Sequence, residues 1–503
     1  MAFSPQTGAK DRKKRPKNII YCVADGMAMS SVTMADAYQK LMGKSGSYWT
    51  SLLENDEVVT GLQDTRSLSS VVTDSSAAAS AWGSGRRIWN GQVNMFPDGT
   101  KLRPLTDVVK AAGMRTGLVT TTTMTHATPS GFSVSMENRG WEDLIAEAHL
   151  KSGVDVLFGG GDRYFDGKKR QTRTNVHPNA KKIDLYAEFA KQGFSIAKNR
   201  AELSAIKTGK ALGIFYDSHL PYTVDRDHDS SMASVPTLAE LAAKAIDLLK
   251  GGPQGFLLQI EGGRVDHAAH GNDLAGLVFD QIAFEEAVKV AIDFAMKDGE
   301  TLVVITSDHA TGGPALNGSG SEDFPMAYFD STAGLALLSG MKSSYGPILS
   351  KVGANPSVLD VQTAVETYLG IKLKKAEALA VVSAMVDESP FATSQFYGSA
   401  GATLAMVLGN YTKVTWTSGN HTNDHVLLSA YGPGSHLFHG MTRNDAVFDI
   451  LLGLRGLSFK NPTMTFEEAK QHVDRRFRNK VAAIAGEDCC ACEEYAVLHH
   501  HAR

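Results

Sequence analysis

The sequence is poor in cysteine, with four in 503 residues. Cys22 stands in an apolar run and is expected to be a core thiol. Cys489, Cys490 and Cys492 crowd the C-terminal end as CCAC, which fits neither a paired disulfide framework nor a zinc module with a second ligand pair. Long apolar runs are missing too. No segment reaches the roughly 18 apolar residues of a membrane span. An excess of one charge is also missing. The 50 basic and 54 acidic residues leave a net charge of -4, so there is no general electrostatic reason to expect nucleic-acid binding, and no module for it is visible. The one dense basic run, Lys10 to Lys17, reads as a solvated tail. Residues 1–17 lack the apolar stretch of a signal peptide, so the chain reads either as cytoplasmic or as one whose leader was removed. His499, His500 and His501 read as a frayed chain end rather than a metal site.

What is present is an ordinary globular composition, 43% hydrophobic and 21% charged. Short apolar runs recur at Ile19–Ala24, Thr116–Thr120, Val154–Phe158, Phe256–Ile260, Leu302–Thr306 and Val426–Tyr431. Runs of this length suit strands buried on both faces, as in a parallel sheet. Helical patterns lie between them, the clearest over Asp273–Lys297. The alternation predicts an α/β fold, doubly wound, with a mostly parallel central sheet and helices on both faces. Two stretches interrupt it. Arg163–Val235 is polar and basic. Ala315–Trp416 is rich in Gly and Ser, carries helical patches at Ser357–Leu369 and Ala376–Val386, and reads as an inserted lid or subunit-contact region. A helix at Phe466–Ile484 closes the domain. The division expected is a tail at 1–17, a catalytic domain at 18–486 and a second tail at 487–503.

Polar residues follow the apolar runs directly. Asp25 follows the first. The run ending at Ile260 is followed by Glu261-Gly-Gly-Arg-Val-Asp266-His-Ala-Ala-His270, and the run ending at Thr306 by Ser307-Asp308-His309. Open α/β sheets bind ligands outside the carboxyl ends of their strands. Asp, Glu and His together suit zinc, and oxygen ligands alone suit magnesium. Asp266 and His270 stand four apart and can share a helix face. Asp308 and His309 are adjacent, which requires extended or loop backbone. A second feature is Thr73-Asp74-Ser75-Ser76-Ala77-Ala78-Ala79, a small-residue run that favours a helix. Ser75 near its N-terminus would meet backbone N–H groups suited to an anion. On these grounds alone it reads as well as a helix cap as it does as a nucleophile.

Taken together the motifs resemble those of the alkaline phosphatases. Thr-Asp-Ser (73–75), the 261–270 segment, Ser-Asp-His (307–309), Asn-His-Thr (420–422), Ala-Asp-Gly-Met (24–27) and His-Ala-Thr-Pro (126–129) occur in that family's order between about residues 18 and 456. The resemblance implies hydrolysis of phosphate monoesters to alcohol and inorganic phosphate through a phosphoserine at Ser75, with Asp74 beside it. It implies two zinc ions, one held by Asp266, His270 and His421 and the other by Asp25, Asp308 and His309. It implies a magnesium ion held by Asp25, Thr128, Glu261 and waters. Arg139, eleven residues after Thr128, takes the place of the arginine that grips phosphate. His126 and His267 stand where the enteric bacterial pattern has Asp and Lys, which is more like the animal enzymes. His126 is expected to weaken the magnesium site and open it to zinc from outside the ligand shell. His267 is expected to hold product phosphate less tightly. His425 has no family role and reads as a core or surface residue. A homodimer and a periplasmic or secreted location are the family's habits. The alternatives are a phosphodiesterase, another phosphoryl or sulfuryl hydrolase on the same scaffold, or a binding protein that keeps the metals without turnover.

Overall fold

The apolar runs become strands because neighbouring residues in each can bury against opposite layers. In the computed structural model, which describes residues 14–174, 176–318 and 329–485, the first run forms β1 (Asn18–Val23). Its Ile20 and Cys22 join one apolar cluster, and its Ile19, Tyr21 and Val23 join another. The same division separates Val303 and Ile305 from Leu302 and Val304. Both faces of the sheet are therefore covered. The strands continue as β2 (Val58–Asp64), β3 (Arg115–Thr123), β4 (Val156–Gly160), β5 (Phe194–Ala197), β6 (Lys210–Ile214), β7 (Phe256–Glu261) and β8 (Thr301–Thr306). Four short strands follow: β9 (Ala310–Thr311), β10 (Ala315–Leu316), β11 (Val414–Thr415) and β12 (His421–Thr422). Then β13 (Val426–Tyr431) and β14 (Gly440–Arg443) return to the main sheet.

The main sheet has ten strands in the order β14-β2-β13-β8-β1-β7-β3-β4-β6-β5. It is mostly parallel, as expected for a doubly wound α/β fold. Only β13 runs antiparallel to its neighbours β2 and β8. Arg163–Val235 was expected to interrupt the alternation, yet it supplies β5 and β6, which extend the sheet in parallel beyond β4. These strands are short and flanked by Lys and Gly, so their apolar signal is weak in the sequence. The inserted stretch closes on itself at its base, where β10 pairs with β11. Its predicted helices are Val358–Leu369, capped by Ser357, and Lys375–Met385. The helices Phe329–Ala336, Tyr345–Val352 and Ala400–Thr412 were not anticipated. The Leu274–Asp298 helix matches its prediction, with Asp273 as its N-cap. Cys22 is buried and free. The CCAC run, the terminal histidines and most of the basic tail lie outside the described residues.

Two helices set the front of the site, Ser75–Ser84 and Ala127–Ser133. They touch through small residues. A Cβ on Gly83 would fall on the carbonyl oxygen of Gly131, and one on Gly131 would meet the Cβ of Ala79 at 2.6 Å. Gly83 has an ordinary helical backbone, so what selects glycine there is the close approach rather than φ. Replacing Gly83 with Ala is expected to push the two helices apart and destabilise the fold by about 1–3 kcal/mol. A lowered midpoint in guanidinium unfolding would show it, and an unchanged midpoint would contradict the contact.

Candidate metal centre and nucleophile

The site forms where neighbouring strands β8, β1, β7 and β3 end. Asp25 lies just beyond β1, Glu261 ends β7, and Asp308 and His309 follow β8. The Arg264–His270 helix begins soon after β7 and carries Asp266 and His270 on one face, as their spacing predicts. Gly26 makes the turn after β1. Its φ of 70° is left-handed, its N–H donates to Asp308 Oδ1 at 3.0 Å, and a side chain there would strike Asp266. Asp25, Glu261 and Asp308 are 0% exposed and Asp266 is 3% exposed. Four carboxylates so deeply buried repel one another unless cations join them.

The imidazoles are already turned for cations. His421 Nδ1 donates to the carbonyl of Thr73 at 2.8 Å, and His270 Nδ1 donates to the carbonyl of Gly419 at 2.6 Å. Each ring then presents its Nε2 inward, and the two Nε2 atoms are 3.0 Å apart. Thr311 donates its hydroxyl hydrogen to Asp266 at 2.6 Å, so it accepts from His309 Nδ1 at 3.2 Å. His309 Nε2 is thereby free to face Ser75 Oγ at 3.2 Å, Asp308 Oδ2 at 3.1 Å and Asp25 Oδ1 at 3.7 Å. Outer hydrogen bonds that fix the tautomer in this way are the usual mark of metal-ligating histidines. Three groups bring ligand atoms within 4.8 Å of one another: Asp266 with His309 and His421, Asp25 with Asp308 and His309, and Asp25 with His126 and Glu261. Both Asp25 oxygens, Asp308 Oδ2, Glu261 Oε1, Thr128 Oγ1 and His126 Nδ1 are buried without hydrogen-bond partners. Such a donor set fits metal cations and fits little else.

Ser75 is not the helix cap. Asp74 takes that position, accepting from the Ala77 N–H at 2.9 Å, and Ser75 is the first helical residue. Arg139 is held by Asp74 Oδ2 at 3.2 Å and by His126 Nε2 at 3.3 Å. Asp74 Oδ2 also accepts from the Gly91 N–H at 2.9 Å, and the Arg139 N–H donates to the Gly91 carbonyl at 2.8 Å. The guanidinium is thus fixed beside the residue that precedes Ser75.

Burial and neighbours set the charges. Burial, reinforced by Asp308, Asp266 and Glu261, holds the Asp25 carboxyl well above its usual range. Burial lifts Glu261 to about 7. Burial would raise Asp266 as well, but the hydrogen bond and charge of His270 and the charges of His309 and His421 hold it well below the usual range. Burial opposes protonation of His270, yet its hydrogen bond to Asp266 outweighs this and lifts it to about 9. His126 and His267 are pushed well below the ordinary imidazole value by burial, then by Arg139 for the first and Arg264 for the second.

The structure brings the sequence-nominated residues Asp25, Ser75, Asp266, His270, Asp308, His309 and His421 into one cluster, with Asp74, His126, Arg139 and Glu261 against it. Thr128 is the second residue of the neighbouring Ala127–Ser133 helix. His267 turns away from the carboxylates toward Arg264, whose Nη1 lies 2.8 Å from its Nδ1. His425 is exposed on the loop before β13. Two residues were missed. His219 accepts from the Thr123 N–H at 3.0 Å, and its ring lies 4.4 Å from that of His267 and 5.5 Å from that of His126. It follows β6, the strand whose weak apolar signal hid the strand end that would have flagged it. Thr311 orients His309 and Asp266 but belongs to no motif.

The family model described as "Alkaline phosphatase" matches residues 16–455. Alkaline phosphatase 3 of Bacillus subtilis is 31% identical, over 88% of this chain and 90% of its own length. The repressible alkaline phosphatase of Saccharomyces cerevisiae is 33% identical, over 65% of this chain and 60% of its own. Among solved structures, the alkaline phosphatase of Thermus thermophilus superposes with a TM-score of 0.84 at 33% identity, covering 94% of this chain and all of that one. The cold-active enzyme of Shewanella sp. gives 0.70 at 26% identity, over 87% and 99% of the two chains.

The charge pattern has a consequence for stability. A group whose pKa is raised on folding contributes stability below its unfolded value and loses it as pH rises through the folded value. His270, lifted from 6.5 to about 9, acts in this direction across the neutral to alkaline range, and Glu261, lifted from 4.5 to about 7, completes its loss near the lower end of that range. Protein treated with a chelator is therefore expected to lose thermal stability between about pH 6.5 and 9. Zinc loading is expected to flatten that slope, because a cation replaces the proton. Melting temperatures across this range, with and without zinc, check it; a chelated protein that grows more stable toward pH 9 would contradict it.

Proposed function

The chain belongs to the alkaline phosphatase family and hydrolyses phosphate monoesters, and from that premise we propose that it works through a phosphoserine at Ser75 with two zinc ions and one magnesium ion. Asp266, His270 and His421 hold the first zinc. Asp25, Asp308 and His309 hold the second. Asp25, Thr128 and Glu261 hold the magnesium, with His126 outside its ligand shell. The observation that carries the reading is the set of three inward Nε2 atoms over four buried carboxylates, with the Ser75 hydroxyl 3.2 Å from one of them.

Bound there, the cations lower the pKa of the Ser75 hydroxyl and stabilise negative charge on the attacking and leaving oxygens of an in-line displacement. Ser75 Oγ attacks phosphorus, the ester P–O bond breaks, and the serine proton leaves with the alcohol. Water then attacks the phosphoserine, releasing inorganic phosphate and restoring the hydroxyl. Arg139 offers two parallel N–H donors to the non-bridging phosphate oxygens, and its fork is preset by Asp74 and His126. The first N–H groups of the Ser75–Ser84 helix add partial positive charge. His267, turned toward Arg264, replaces a lysine and its fixed charge, so product is held less tightly. The homodimer and the location outside the cytoplasm rest on family habit. No described helix is long and apolar enough to cross a membrane.

Ser75→Ala is expected to lose more than about 100-fold in kcat on a phosphate monoester while keeping its circular dichroism spectrum. A near wild-type rate would remove Ser75 as nucleophile. Exhaustive chelation is expected to abolish turnover, and zinc with magnesium to restore it. Metal analysis showing full activity without either ion would reject the metal assignment.

A further inference from the structure

Asn272 lies two residues beyond His270, is 1% exposed, and adopts a left-handed φ of 50°. A non-glycine residue in that region is uncommon, and asparagine is among those that tolerate it best. Its Nδ2 has two hydrogens, and both are used. One goes to the carbonyl of Ala269 at 3.0 Å, in the helix that carries Asp266 and His270. The other goes to the carbonyl of Ser418 at 2.8 Å, in the strap that carries His421. These two segments supply every protein ligand of the first zinc in the reading above, on which this inference rests. Among the described residues, the strap's other hydrogen bonds run to Thr73, Gly312, Gln395 and Tyr397 and, through the pairing of β12 with β9, to Ala310 and Thr311, while only the His270 ring also ties it to the helix.

We infer that Asn272 is a positioning residue for the first zinc, its amide setting the separation of His270 and His421 by joining their two backbones. The left-handed backbone aims the amide across the gap, and the two carbonyls fix its rotation. No other side-chain type offers two donors on so short a stem at that φ. Partners that orient metal ligands from behind typically govern metal affinity by roughly 10–100-fold when removed.

The test is zinc release from the loaded full-length protein to a chromogenic chelator, with melting temperature and KM at saturating zinc measured alongside. Asn272→Gly keeps the backbone conformation without strain and removes both bonds. It is expected to release zinc about 10-fold faster or more, with KM unchanged at saturating zinc. Asn272→Asp keeps size and conformation but turns a carboxylate onto two carbonyl oxygens, so it is expected to release zinc faster still. That order separates donation from packing. If Asn272→Asp holds zinc like the wild type while Asn272→Gly loses it, the residue only fills space and the inference is wrong. Wild-type release rates in both variants would also overturn it. A wild-type protein that holds no zinc would instead refute the two-zinc reading.

Discussion

Four carboxylates, those of Asp25, Glu261, Asp266 and Asp308, are buried together at the ends of adjacent strands. A buried carboxylate must be neutralised by a proton, a cation or strong hydrogen bonding. Here the balance is divided. Asp25 and Glu261 lean toward the proton, while Asp266 and Asp308 are held down by facing imidazoles. Cations bound there would resolve the conflict for all four at once. The rest of the site is arranged around that requirement, because the histidine tautomers, the turn at Gly26 and the placement of Ser75 all direct lone pairs or a hydroxyl toward the same region.

The scaffold is rigid where precision is needed. The strands that end at the site are buried on both faces, and the Ser75–Ser84 and Ala127–Ser133 helices meet without side chains between Gly83 and Gly131. Ser75, Asp25, Glu261, Asp308 and His309 therefore sit at the ends of elements that are packed together. The strap before β13 is different. It follows the long insertion, carries His421, and is fastened by the pairing of β12 with β9 and by a few side-chain contacts, among them the amide of Asn272. The grouping of Asp266, His270 and His421 is where the candidate site relies most on discrete hydrogen bonds.

Three further imidazoles give this chain its particular character. His126, His219 and His267 pack ring against ring beside Arg139 and Arg264. Burial and the two guanidinium groups keep them neutral.

The order of the motifs, the strand-end carboxylates and the two-faced apolar runs were all legible in the sequence, because each is a local pattern: residue type, period and spacing. They point to the mostly parallel α/β fold and to nearly every residue of the candidate site. Local pattern could not tell whether Ser75 was a cap. The hydrogen bond from Ala77 to Asp74 decided that, since only one side chain can close the helix end. Nor could it reveal β5 and β6, whose short runs become strands only because β4 offers an edge to pair with, or His219, which arrives behind them. The direction of each imidazole, the departure of His267 toward Arg264 and the bridge made by Asn272 depend on contacts across as many as 348 residues of chain. By itself the sequence determined which groups the site contains; which atom each group turns inward was decided only when the tertiary fold supplied the hydrogen-bond partner behind it.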